Sequence, residues 1–284
     1  MKATGQRHSL AAADGVDLAL YAYGPETAER AAIVLHGIQS HAGWFTASCE
    51  ALANAGLRVI CPDRRGSGAS GGKRGHTASP DVLLDDLGRI VSWVRAERPG
   101  RPLQAVAHSW GAVYALAYQG REPSAFERLS LVSPGLLPRV DLSPTQKAAV
   151  ALGSLISPER VLPIPISGPE AFTANQAKRD AIGADEARLK YATLRFFSSA
   201  WRLRRRASAA ARRTEAPMTV FLAGTDTIID TEATRRFFYG CGEGVRVETF
   251  DTAHHTLEFE DDPVAFLDSL VLWCLAPPGR EVSL

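Results

Sequence analysis

Ser109, Asp226 and His255 are of types, and in an order, that fit nucleophilic hydrolysis. Ser109 lies in Ala107-His-Ser109-Trp-Gly111, where a strand-like apolar run gives way to a helical pattern. A serine on such a turn holds its Oγ above the C-terminal edge of a sheet. The helix behind it offers free N–H groups and the positive end of a dipole. Near neutral pH the hydroxyl needs a base, and the base needs a carboxylate to orient it. Downstream the sequence supplies Asp226 in Ala223-Gly-Thr-Asp226-Thr and then His255 in Ala253-His-His255-Thr-Leu257. Serine, acid, histidine is the chain order that this strand–turn–helix topology uses. Each partner has a rival: Asp230 stands at the expected start of a helix, where capping accounts for it, and His254 precedes His255. Attack on a carbonyl creates an oxyanion that needs two N–H donors fixed in advance. The candidates are the amides of Trp110, next after the serine, and of Ile38, in Leu35-His-Gly37-Ile38. His36 reads as a hydrogen-bonding residue that shapes this turn rather than as a proton carrier.

Elements of a particular kind must position these residues. Ala31–Leu35, Arg58–Cys61, Leu103–Ala107, Leu129–Val132, Met218–Ala223 and Val245–Phe250 read as strands, and most are near-continuously apolar. Such runs belong to a sheet covered on both faces. Between them, Val82, Leu83, Leu87, Ile90, Val91 and Val94 recur at helical spacing. Asp81 is a candidate for capping that helix, and Pro99-Gly100 ends it. Further helices are expected over 112–120, 231–239 and 263–275. Strands alternating with helices define an α/β fold with a mostly parallel sheet. The alternation lapses over 136–215, which reads as a mainly helical, proline-punctuated insertion between two strands of one sheet, with a helix expected over 184–211. The sheet domain is then expected to comprise 1–135 and 216–284.

Composition narrows the function classes. The 284 residues carry 32 Lys+Arg and 31 Asp+Glu, a balance that argues against a dedicated nucleic-acid binder. The balance is uneven, however: 136–215 holds 14 basic and 7 acidic residues, against 18 and 24 elsewhere. No run reaches the roughly 20 apolar residues of a membrane span, and the first residues lack a signal-peptide core, so a cytoplasmic location is expected. Cys49, Cys61, Cys241 and Cys274 are dispersed, and the histidines show no metal-binding spacing. No cofactor or metal is expected.

Together the early Asp14-Gly15 turn, His36-Gly37, Asp63-Arg-Arg-Gly66-Ser-Gly68-Ala-Ser70, His108-Ser-Trp-Gly111, Ser133-Pro134, Gly224-Thr-Asp226 and Ala253-x-His255-x-Leu257 resemble the α/β-hydrolase superfamily. Within it the chain is most similar to bacterial monoacylglycerol lipase/lysophospholipase-like serine hydrolases, the serine aminopeptidase-type group. The resemblance implies Ser109, Asp226 and His255 as a catalytic triad and 136–215 as a lid. It implies a carboxylic-ester hydrolase acting through an acyl-enzyme on a small or single-chain lipid ester. Two alternatives are an N-terminal aminopeptidase and a non-catalytic ligand-binding member of the same fold. The sequence departs from the family pattern at Ala107, where glycine is usual, and in the tight Gly224–Asp226 spacing.

In the expected lid, Ile164, Ile166, Phe172, Leu194, Phe196, Phe197 and Trp201 either line an acyl pocket or form the lid's own core. Phe172, Phe196, Phe197 and Trp201 are the candidate substrate contacts. Leu152, Leu155 and Ile156 either form an apolar surface for lipid entry or pack inward. Arg202–Arg206 and Arg212-Arg213 contain six arginines and no acid. They form either a solvated helix face or a peripheral contact with anionic lipid.

Overall fold

The computed structural model describes residues 1–139, 141–166 and 168–277. The parts of the expected core and insertion at 140, 167 and 278–284 lie outside the described residues. In chain order the first part runs β1 (Gln6–Ala11), β2 (Asp17–Tyr23), β3 (Ala31–Leu35), α1 (Thr46–Asn54), β4 (Arg58–Pro62), α2 (Pro80–Glu97), β5 (Leu103–His108), α3 (Trp110–Arg121) and β6 (Leu129–Val132). Then come α4 (Pro144–Ile156), β7 (Val161–Pro163), α5 (Gln176–Gly183), β8 (Tyr191–Thr193) and α6 (Leu194–Ala211). The chain returns to the main sheet through β9 (Met218–Ala223), α7 (Thr231–Tyr239), β10 (Val245–Phe250) and α8 (Val264–Leu275).

The sheet has the order β1-β2-β4-β3-β5-β6-β9-β10, parallel from β4 onward, with β1 and β2 antiparallel at one edge. Every residue of β3, β4, β5, β6 and β9 is buried, as a sheet layered between helices requires. The order fixes where a site can form. From β3 the chain crosses to β4 on one side, then back over β3 to β5 on the other. Loops leaving the C-terminal ends of adjacent β3 and β5 therefore diverge and open a crevice between them. The turn 36–38 and Ser109 occupy that crevice.

Local sequence accounts for most element boundaries. Helix α2 begins at Pro80, with the Ser79 side chain accepting from the Val82 amide at 3.2 Å. Ser79 is therefore the cap, in place of the expected Asp81, which sits in the first turn and pairs with Arg206 at 2.6 Å. The helix expected over 184–211 is also corrected. Residues 184–190 form turns tied by Arg188 N–H to Asp185 C=O and by Leu189 N–H to Gln39 C=O. Tyr191–Thr193 pairs antiparallel with Val161–Pro163. Only after Thr193, whose hydroxyl accepts from Phe196 N–H, does α6 start. A three-residue strand is too short to show a period of two, and the alanines and arginines around it favour helix.

Helix α6 is attached along its length. Leu203, Ala207, Ala210 and Ala211 are buried, and a Cβ on Gly120 of α3 would come within 2.6 Å of Ala210 Cβ. A small residue on each helix thus lets α6 and α3 approach closely. Four basic residues in it or just past its end are engaged. Arg204 pairs with Asp141 and Arg206 with Asp81, while Arg205 and Arg212 lie over the rings of Trp201 and Phe237. Among the described residues no helix is long and apolar enough to cross a membrane.

Candidate active site

Ser109 is the residue between β5 and α3, with φ 56° and ψ −117°. Such a backbone is costly for a residue with a side chain and persists only where its surroundings hold it. Here the Ser109 N–H donates to Val132 C=O at 2.8 Å, and its carbonyl accepts from Gly135 N–H at 2.9 Å. Gly111 is required by packing, since a Cβ there would lie 2.3 Å from the Leu35 carbonyl oxygen. That close approach brings α3 against the end of β3. Ala107 sits within β5, paired with Leu35 and Leu131, where an ordinary strand conformation makes alanine acceptable in place of glycine. The turn after β3 passes beside the serine: a Cβ on Gly37 would be 3.3 Å from Ser109 Cβ.

Asp226 and His255 are brought together by parallel β9 and β10. The Nδ1–H of His255 donates to Asp226 Oδ2 at 2.7 Å, and both side chains are buried. The other oxygen, Oδ1, accepts from the amides of Ile228 and Ile229 at 2.7 and 3.0 Å. In the neutral ring with Nδ1 as the donor, the lone pair lies on Nε2, which is buried and makes no hydrogen bond. Asp230 caps α7, accepting from Ala233 N–H at 2.9 Å. His254 faces Glu260 instead, at 3.4 Å.

Two cavities meet at Ser109. The smaller is lined by Ser109, His255, His108, Gly37, Ile38 and Phe172 among others. The larger, of about 350 Å³, runs from Ile38, Ser109 and Trp110 between the loop 227–229, α4, residues 162–166 and α6. Of the expected substrate contacts, Phe197 and Trp201 line the larger cavity, together with Ile164 and Ile166. Phe172 lines the smaller one, with its ring 6.1 Å from the His255 ring. Phe196 lines neither: it is 1% exposed and packs 5.5 Å from the Trp110 ring. Leu194 is likewise buried, whereas Leu152, Leu155 and Ile156 are exposed. Among the described residues neither the Ile38 nor the Trp110 amide donates a hydrogen bond to the protein. No group of three or more His, Cys, Asp or Glu among them is placed to hold a metal ion.

The neighbouring histidines are kept neutral. Burial, reinforced by His255, lowers His108 to about 3, and burial beside Arg64 takes His36 well below its ordinary value. His36 Nδ1–H donates to the Gly37 carbonyl at 2.8 Å, and its Nε2 accepts from Arg64 N–H at 3.0 Å.

Sequence reasoning passed over several supports of the site. Arg139 Nε–H donates to the carbonyls of Asp226 and Ile229 at 3.0 and 2.9 Å, tying the chain just after β6 to the Asp226 loop. Glu258, three residues after His255, is buried, and its carboxylate accepts from Ser48 Oγ and from amides in the first turn of α1. The charge of Lys178 acts to lower its pKa. Desolvation nevertheless raises it to about 7 from 4.5. The fold thus favours the protonated acid. That contribution is complete below pH 4.5 and lost as pH rises through about 7. Glu258→Gln is therefore expected to stabilise the protein at pH 9 by up to about 3 kcal/mol, at roughly 1.4 kcal/mol per unit. Urea unfolding at pH 4, 7 and 9 checks this, and the advantage should shrink toward the acid end.

The eight-stranded sheet, the serine on a strained strand-to-helix turn and the buried acid–histidine pair define an α/β-hydrolase. The chain belongs to the Hydrolase_4 family, described as serine aminopeptidase, S33, whose model matches residues 26–262. A monoacylglycerol lipase of Mycolicibacterium smegmatis is 32% identical over 157 residues, 55% of this chain and 56% of that protein. A monoglyceride lipase of Rattus norvegicus is 28% identical over 140 residues, 49% of this chain and 46% of that protein. The chain thus spans about half the length of these curated relatives. The solved structure of Paleococcus ferrophilus monoacylglycerol lipase superimposes with a TM-score of 0.81 at 23% identity, covering 90% of this chain and 98% of that one. A soluble variant of Saccharomyces cerevisiae monoglyceride lipase gives 0.79 at 18%, covering 97% and 96%. At these identities the structures show the shared fold.

Proposed function

We propose that the chain is a serine esterase that hydrolyses small or single-chain lipid esters through an acyl-enzyme, with 136–215 as its lid. The observation that carries this is the His255–Asp226 pair, whose unengaged Nε2 shares a cavity with Ser109. In this reading Ser109 Oγ attacks the ester carbonyl while His255 Nε2 takes its proton. The same nitrogen returns the proton to the leaving alcohol, and water then repeats the sequence on the acyl-enzyme. Asp226 holds the imidazole in the required tautomer, and the amides of Ile38 and Trp110 receive the oxyanion.

The larger cavity supports the substrate class. Its walls are mostly Pro138, Leu142, Val150, Leu162, Ile164, Phe197 and Trp201, with Ile228 and Ile229 near the acid. At about 350 Å³ it lies at the small end of ligand sites, which run from roughly 300 to 1,000 Å³, and suits one acyl chain better than two. The similarity to monoacylglycerol lipases supports the same choice. An aminopeptidase would need a carboxylate for the substrate ammonium. Among the residues lining the two cavities only Asp141 offers one, and Lys147 and Arg204 already share its Oδ2 at 2.8 and 2.6 Å. Peripheral contact with anionic lipid would fall to the exposed Arg202 and Arg213 and is not needed for the ester chemistry.

A p-nitrophenyl ester series of increasing chain length tests the pocket. Ala200 of α6 lines it, and Ala200→Leu adds bulk where the chain would lie. Overpacking costs roughly 1–3 kcal/mol, so kcat/KM for long-chain esters is expected to fall about 10-fold or more, with acetate unchanged. A uniform loss at every length, or cleavage of amino-acid p-nitroanilides in preference to esters, would reject the reading.

A further inference from the structure

Arg64 is a buried charge beside the site that the triad does not use. It follows Asp63 at the end of β4 and is 5% exposed. Among the described residues no carboxylate lies within ion-pair distance of it, and its Nε–H has no partner. Burial lowers its pKa to about 10, which leaves it charged at neutral pH. A buried guanidinium without a carboxylate is destabilising unless fixed dipoles and ring faces surround it. Here its two terminal nitrogens donate to the carbonyls of Gly37 and Ile38, each at 3.1 Å. Its central carbon lies 4.8 Å from the Trp110 ring and 5.4 Å from that of Phe196, close enough for cation–π attraction.

The Gly37 carbonyl and the Ile38 N–H are two ends of one peptide unit. A trans peptide is planar, with C=O and N–H pointing in opposite directions. Whatever holds the oxygen therefore aims the N–H the other way. Arg64 and the Nδ1–H of His36 both donate to that oxygen, so the plane cannot turn over without losing two hydrogen bonds in a buried setting. Turning it over would present a carbonyl oxygen to the developing oxyanion. Donation to the carbonyl also polarises the amide and strengthens its N–H as a donor.

We infer that Arg64 is a positioning residue for catalysis: it fixes and polarises the 37–38 peptide and packs on Trp110, so that both oxyanion donors are set before the reaction. The inference rests on the assignment of the Ile38 and Trp110 amides as the oxyanion hole. Its reach is limited to the transition state, because a neutral ester carbonyl gains little from a donor that an oxyanion needs.

Arg64→Met and Arg64→Gln, with Arg64→Lys as the conservative variant, test it on p-nitrophenyl butyrate and on a reversible alkylboronic acid, which forms a tetrahedral anion on serine. Loss of one oxyanion donor costs about 10²–10³ in kcat. Arg64→Met is expected to lose about 100-fold in kcat with KM changed less than twofold, and to bind the boronic acid about 100-fold more weakly. Arg64→Gln, which keeps one donor, and Arg64→Lys, which keeps the charge, should each recover part of both losses. A wild-type enzyme that does not bind the boronic acid would overturn the oxyanion-hole assignment itself. Tight binding by wild type and equally tight binding by Arg64→Met or Arg64→Gln would overturn only the role of Arg64. A fall in kcat/KM carried by KM alone in whichever of the variants folds would do the same.

Discussion

Ser109→Ala is expected to abolish ester turnover, with kcat falling by about 10⁶, the scale on which loss of a serine nucleophile falls in a hydrolase of this chemistry. The substitution removes one oxygen and leaves the turn intact. The hydrogen bonds that hold the strained backbone run through the Ser109 amide and carbonyl, to Val132 and Gly135, and alanine keeps both. The Oγ makes no hydrogen bond to the protein among the described residues, so its loss leaves no partner unpaired. Stability is therefore expected to stay within about 0.5 kcal/mol of wild type. A fluorophosphonate probe should label wild type once per chain and fail to label the variant. Labelling that persists in Ser109→Ala would move the nucleophile elsewhere, and a wild type that turns over no ester would favour a ligand-binding role for the fold.

Much of this site was legible in the sequence because its parts lie at element ends. Strands β3, β5, β6 and β9 read as near-continuous apolar runs since the parallel sheet is covered on both faces. Ser109 and Asp226 follow such strands and His255 follows the half-buried β10, and a parallel sheet gathers those ends along one edge. The competition between Asp226 and Asp230 was visible as a helix cap against a loop acid. What could not be read were supports that act across long separations. Arg64 grips a turn 26 and 27 residues earlier, and Arg139 grips a loop 87 residues later. Neither has a period or a spacing to reveal it. The short β7–β8 pairing was missed for a related reason. Two three-residue strands pair across the intervening chain, and nothing in either alone distinguishes strand from helix or loop. Within α6, Phe196 and Phe197 could not be separated by composition. One residue of offset on a helix turns the first onto Trp110 and the second into the cavity.

Asp226→Asn is expected to lower kcat by about 10⁴ while leaving the fold in place, and Asp230→Asn to leave kcat unchanged. The first effect follows from which oxygen does what. Oδ1 of Asp226 accepts two backbone N–H groups, from Ile228 and Ile229. An asparagine amide NH₂ cannot take that place, so its carbonyl oxygen must. The NH₂ then faces His255 Nδ1, where Oδ2 now accepts. Facing a donor, Nδ1 must become the acceptor, and the imidazole proton moves to Nε2. The nitrogen in the cavity with Ser109 then carries a proton in place of a lone pair and cannot serve as the base. The wrong tautomer, with the surrounding hydrogen bonds preserved, costs about 10⁴ in hydrolases of this chemistry. At position 230 the same substitution exchanges one good N-cap for another. The bond to Ala233 N–H can be kept by the asparagine oxygen, and the side chain does not face either cavity. Steady-state kinetics on p-nitrophenyl butyrate, with thermal unfolding as the control for folding, separates the two variants. Loss of activity in Asp230→Asn with Asp226→Asn near wild type would reassign the acid and, with it, the tautomer argument for His255.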